Sequence, residues 1–213
     1  NRGNKGCIIL DLNQDPTQPV EVADINNWYV HDGMAKGDTL YLAHISDGFF
    51  TVWDVSNPSI PVMLGQHNSP GAKCHNAWVS YDGDYLYTTD EISNGFIGEF
   101  DISDLTNIQM IDETQTEPGQ NIIPHNTHFL NDYIITSYYT SGVVVHDVAN
   151  KGNMVEVGTF DTSPNFSGDG FYGCWGVYPW LPSGLIIASD IEDGLYVLQP
   201  NYVRGAYLEG DVR

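Results

Sequence analysis

Basic residues are scarce in this chain: 213 residues carry 7 Lys and Arg against 28 Asp and Glu, a formal net charge of −21. A surface of that sign repels the phosphate backbone, so nucleic acid is excluded as a partner. Long apolar runs are missing too. No stretch approaches the ~18 uninterrupted apolar residues of a spanning helix, which argues against membrane insertion. Cysteine is rare and odd in number, so Cys7, Cys74 and Cys174 cannot all pair within the chain. Cys74 and Cys174 stand at matching points of two repeat units separated by another unit, too far apart for the ~7 Å that bridged Cα atoms allow. Buried free thiols are expected. The sequence also has no Gly-x-Ser-x-Gly elbow, Walker loop, His-Glu-x-x-His, dinucleotide fingerprint or Cys-x-x-Cys, so enzyme activity has no motif behind it.

What is present is repetition. A glycine, an alternating apolar run and usually an aspartate recur from Gly6 to Asp11, Gly48 to Asp54, Gly95 to Asp101, Gly142 to Asp147 and, without the aspartate, Gly194 to Gln199. The glycines step by 42, 47, 47 and 52 residues, the period of a four-stranded propeller blade. Around each phrase, short alternating runs are bounded by Gly, Pro, Asn and Asp, and none holds a helical period. Innermost strands are expected at 32–35, 76–81, 126–130 and 175–180, second strands at 39–44, 85–89 and 133–137, and outer strands at 61–65, 108–112 and 154–160.

The pattern predicts an all-β chain, a β-propeller of four-stranded antiparallel blades, with repeats near 6–31, 32–75, 76–125, 126–174 and 175–213. The first repeat opens at a third strand, and the last offers only an outer strand near Ala206 to Leu208, giving about four and a half blades at the low end of the ~4–8 of closed rings. The expectation is a single domain forming the C-terminal part of a longer propeller, its ring completed by missing N-terminal blades or by a second chain.

Strand order places the chemistry. His31-Asp32, His75-Asn76 and His125-Asn126 each open an innermost strand, and Trp175-Gly176 takes that place in the last unit. In a blade that runs from inside to outside, the entry to the first strand and the turn after the second lie on one face. The histidines therefore share a rim with Asp47, with Asp90-Glu91 and with Asp190, Glu192 and Asp193. Imidazoles and carboxylates converging on a narrow opening make His31, His75, His125, Asp90 and Glu91 candidate ligands for a divalent metal, Ca, Zn or Cu. The competing reading of the histidines is structural, each ring donating to a neighbouring backbone carbonyl and fixing the contact between blades. Trp175, Tyr178 and Asp190 are candidate contacts for a carbohydrate or protein ligand, although packing between blades also explains the aromatics. His44, His67, His128 and His146 fall outside the rim and have structural or exposed roles.

Asp11, Asp54, Asp101 and Asp147 each end an apolar run and precede a turn. An aspartate there accepts backbone N–H bonds, so these four are assigned to turn building.

At this point a resemblance becomes specific. Asp54-Val-Ser-Asn-Pro58 followed by Pro61-Val-Met-Leu-Gly65 resembles the LVIVD repeat. The longer stretches Cys74 to Glu91, Pro124 to His128, Asn131 to Gly142, Gly170 to Gly184 and Ser189 to Leu198 are similar to the bacterial choice-of-anchor B family of surface proteins. The resemblance implies an extracellular or cell-surface location and carries His75, His125, Asp90 and Glu91 over as a shared site. Two functions follow as expectations: a non-catalytic binding or scaffold module with a metal on the axial rim, or a metal-dependent enzyme or oxidase using the same rim.

Overall fold

A computed structural model describes residues 6–207. Its seventeen strands form five antiparallel sheets, and no helix occurs among the described residues. The first sheet has two strands, β1 (Cys7–Asp11) and β2 (Val20–Ile25). Three complete four-stranded blades follow: β3 (Asp32–Lys36), β4 (Thr39–His44), β5 (Phe49–Asp54) and β6 (Val62–Asn68); β7 (Cys74–Val79), β8 (Tyr85–Asp90), β9 (Ile97–Asp101) and β10 (Gln109–Thr114); β11 (Thr127–Leu130), β12 (Tyr133–Tyr138), β13 (Gly142–Asp147) and β14 (Val155–Phe160). The last sheet is β15 (Cys174–Tyr178), β16 (Ile186–Asp190) and β17 (Gly194–Leu198). Ala206 and Tyr207 of the expected outer strand lie in irregular chain, and Leu208 lies outside the described residues.

The recurring glycine has a steric cause. Gly48 sits at φ +79°, and a Cβ there would stand 2.5 Å from the carbonyl oxygen of Ala72; Gly142, at φ +76°, would place one 2.1 Å from that of Phe160. Only glycine takes such a turn against the neighbouring backbone. The aspartate that closes the phrase folds the next turn: Asp11, Asp54, Asp101 and Asp147 accept the backbone N–H of Asn13, Ser56, Ser103 and Ala149 at 2.8, 2.8, 3.0 and 2.9 Å.

Each blade buries its two faces against its neighbours, which a lone sheet cannot do. Phe50, Val52, Leu86 and Phe100 fill the layer between the second and third blades, and Tyr87, Ile97, Ile134 and Val144 the layer between the third and fourth. The fourth blade turns Val143 and Ile135 onto Cys174, Val177 and Ala188 of the last sheet. Register makes Phe50, Ile97, Val143 and Leu195 equivalent, because they pair with Ala43, Thr89, Ser137 and Ser189 at the same point of each blade. The first three are buried, whereas Leu195 is 67% exposed. The last sheet thus presents an apolar outward face. Cys74 and Cys174 are buried thiols, Cys7 is half-buried, and none forms a disulfide.

Candidate functional site

At one mouth of the propeller axis the entries to the innermost strands meet. The rings of His31, His75, His125 and Trp175 follow one another around the axis, with centroids 4.4, 4.3 and 5.0 Å apart. Two β-bulges help to aim them. The β7–β8 ladder slips between Cys74 and Asn76, and the β15–β16 ladder between Cys174 and Gly176, so His75 and Trp175 are the unpaired residues. A bulge redirects the side chain of its extra residue, here onto the rim. His125 is held by its own N–H on Ser137 O at 2.8 Å, and His31 by its N–H on Ala43 O at 2.9 Å.

One residue deeper, the polar partners of the three histidines form a floor. Asp32 Oδ2 accepts the side-chain amides of Asn76 and Asn126 at 2.9 and 2.8 Å, and its Oδ1 accepts Gly33 N–H at 2.7 Å. Asn76 Oδ1 in turn accepts Thr127 N–H at 3.2 Å. One carboxylate therefore ties three blades together across the axis.

Above the floor, Glu91 reaches in from the turn after β8. Its Oε2 stands 3.6 Å from Nε2 of His75, and its Oε1 stands 3.8 Å from Nε2 of His125, both beyond hydrogen-bond length. Oε1 accepts the hydroxyl of Tyr139 at 2.7 Å. Nδ1 of His75 and Nδ1 of His125 are buried without a hydrogen-bond partner. Burial pushes the His75 imidazole down to about 2 and that of His125 to about 4, so both rings are neutral at physiological pH. Nδ1 of His31 meets the Tyr29 hydroxyl at 3.2 Å. His31, Asp32, His75, Glu91, His125, Asn126, Tyr139 and Trp175 line a cup of about 460 Å³.

Three expected site residues lie elsewhere. Asp90 is fully buried and points away from the cup: it accepts the hydroxyl of Ser69 and the N–H groups of Gly71 and Lys73, the last two at 2.6 and 2.8 Å. Its neighbour Glu91, the first residue past β8, takes the rim, its N–H on Lys73 O at 3.2 Å. Asp190 is likewise buried, its Oδ2 bonded by the hydroxyls of Thr162 and Ser163 and its Oδ1 by the N–H groups of Glu192 and Asp193. These two carboxylates clamp the loop arriving from the preceding blade. Tyr178 packs edge-on against Trp180, at 5.2 Å, outside the residues that line the cup. His44 bonds Tyr29 O and Thr51 Oγ1 in the interior, and His146 is buried with neither ring nitrogen bonded.

Sequence reasoning passed over Tyr139 and the floor. The thrice-repeated pairing of His with Asp or Asn announced the floor; Tyr139 sits in a hairpin turn and carried no such mark.

Residues 29–69 match the family model of the LVIVD repeat. No curated protein matches the chain. Among solved structures it is similar to a periplasmic gluconolactonase of Pseudomonas aeruginosa, at 13% identity and TM-score 0.73, with 92% of this chain and 60% of that one covered. A putative 6-phosphogluconolactonase of Bacteroides uniformis aligns at 16% identity and TM-score 0.70, covering 94% and 62%. A β-propeller domain of Myceliophteria thermophila aligns at 13% identity and TM-score 0.68, covering 93% and 64%. The chain thus spans about three fifths of the length of these structures, and what it shares with them is the fold. The protein is a β-propeller. Its first complete blade, β3 to β6, is the part that matches the LVIVD repeat.

Proposed function

We propose that the protein is an exported, cell-surface propeller of the choice-of-anchor B kind that binds a protein or carbohydrate ligand, without catalysis, in the axial cup. The observation that carries this is the lining of the cup. Trp175 offers the cup a ring that is 54% exposed. An exposed indole beside an amide and two carboxylates suits a sugar face or an aromatic side chain. The surface assignment rests on the long motifs from Cys74 to Glu91 and from Gly170 to Gly184, and protease shaving of intact source cells tests it.

Binding to an array of oligosaccharides and peptides, compared between wild type and Trp175→Ala, tests the cup. A ligand bound equally by both proteins would place the site elsewhere.

The second reading is a metal-dependent enzyme on the same rim, favoured by the open volume beside two neutral imidazoles. Two of the similar structures are named for lactone hydrolysis, so an aldonolactone is the substrate to try. Turnover that disappears in His75→Ala would replace the binding reading.

Ring completion belongs to the same proposal: further blades, or a second chain, pack on the outward face around Leu195 and Val197. Leu195→Asp should then weaken the completed ring while leaving residues 1–213 on their own as stable as before.

A further inference from the structure

We infer that the cup is a site for a divalent transition ion of the zinc class, ligated by His31, His75 and Glu91, with His125 adjoining and Tyr139 fixing the carboxylate. The inference rests on reading the cup as the ligand site and specifies its chemistry. His31, His75 and Glu91 each bring one donor atom to within 4.8 Å of the other two. The edge between His75 Nε2 and Glu91 Oε2, at 3.6 Å, is too long for a hydrogen bond. It suits two ligands of one ion, since metal–ligand bonds of about 2.0–2.2 Å in a tetrahedron place ligand atoms roughly 3.3–3.6 Å apart. His125 Nε2 lies 3.8 Å from the other oxygen of the same carboxylate.

The donor set selects the ion. Asp32 is the other carboxylate of the lining, but it is held in the floor by Gly33, Asn76 and Asn126, whereas Glu91 Oε2 faces the His75 ring, so the cup offers at most two carboxylates. Calcium needs six to eight oxygen ligands, and magnesium a nearly ideal octahedron of oxygens. Neither is served by a cup whose donors are mainly imidazoles. No thiol lines the cup, which removes the preference for Cu(I) or an iron–sulfur cluster. Two imidazoles with the Glu91 carboxylate suit Zn, Co, Ni or Cu(II).

The surroundings look prepared for ligation rather than for packing. Tyr139 donates to Glu91 Oε1 and so leaves Oε2 turned toward His75. The Tyr29 hydroxyl orients the His31 ring. Such outer partners hold metal ligands in place and typically change affinity by about 10–100-fold when removed. Tyr139 is itself anchored, because its carbonyl accepts Cys174 N–H at 2.9 Å.

The test uses the 213-residue chain stripped with chelator, titrated with Zn²⁺ by calorimetry and with Co²⁺ by visible absorption. One ion per chain and a Co²⁺ spectrum of low coordination number are expected. His75→Ala and Glu91→Gln should each weaken Zn²⁺ binding by about 100-fold or more, and Tyr139→Phe by about 10–100-fold at unchanged stoichiometry. His31 is exposed, so His31→Ala decides the matter even if a buried variant misfolds. Absence of binding by wild type, stronger binding of Ca²⁺ than of Zn²⁺, or wild-type affinity in folded His31→Ala would each overturn the site. Trp175→Ala should keep its ion, so failure of the metal site and failure of the ligand-binding reading give different results.

Discussion

The third blade and the last one carry the same frame and different chemistry. Cys74 and Cys174 open the inner strand of each, both buried, both with Sγ turned to the carbonyl two residues on, at 3.8 and 3.7 Å. Both ladders bulge at the next residue. Both second strands end in a buried aspartate that clamps hydroxyl and backbone donors. On that shared frame the third blade mounts His75, Asn76 and Glu91, and the last mounts Trp175, Gly176 and Ile191. Position in the cup is thus set by the frame, and chemistry by the residue placed on it.

The two aspartate clamps hold this shared frame most strongly. Asp90→Ala would leave the N–H groups of Gly71 and Lys73 without an acceptor and the Ser69 hydroxyl with only the long bond to Gly48 O at 3.3 Å, a loss of about 3 kcal/mol, and Asp190→Ala should cost about as much. Denaturant melts of both variants check this. A change confined to one blade would show that the clamps are not equivalent.

A second intervention copies the last blade into the fourth. By register His146 corresponds to Leu198, since they pair with Ile134 and Ile186. Burial pushes His146 down to about 4 from about 6.5, so the unfolded chain binds the extra proton between those values. Its contribution is fully present above about pH 6.5, is lost as pH falls, and has gone by about pH 4. His146→Leu should therefore raise stability relative to wild type by about 2 kcal/mol more at pH 5 than at pH 8, read from urea midpoints at the two values. Equal gains at both pH values would mean that the folded chain protonates this ring as readily as the unfolded one.

The smallest expected effect lies at the turns. Asp101→Ala removes the acceptor of Ser103 N–H and should cost about 1 kcal/mol in thermal melts while ligand and metal binding stay unchanged. A loss of binding there would make the turn part of the site.

Much of this was legible in the sequence. The glycine phrase and period-2 alternation gave strand order, and strand order brought His31, His75 and His125 to one mouth. What stayed hidden depended on register. No residue in Cys74-His75-Asn76 announces a bulge, and Asp90 and Glu91 look interchangeable until β8 ends between them, leaving one in the clamp and the other in the cup. The Asp32 floor was half-written, in the repeated pairing of His with a polar residue. Tyr139 was invisible because its contact with Glu91 spans 48 residues and two blades.

That floor also bears on the order of events when the chain folds. Asp32 meets Asn76 and Asn126 across 44 and 94 residues, so loops of that length must close before either contact forms. Single blades can assemble from local hairpins, but the floor exists only after three of them have docked, and the cup only after the last sheet adds Trp175. Ion binding at this mouth would serve as a clock for the last stage of folding, silent while hairpins form and switched on when the blades close around the axis.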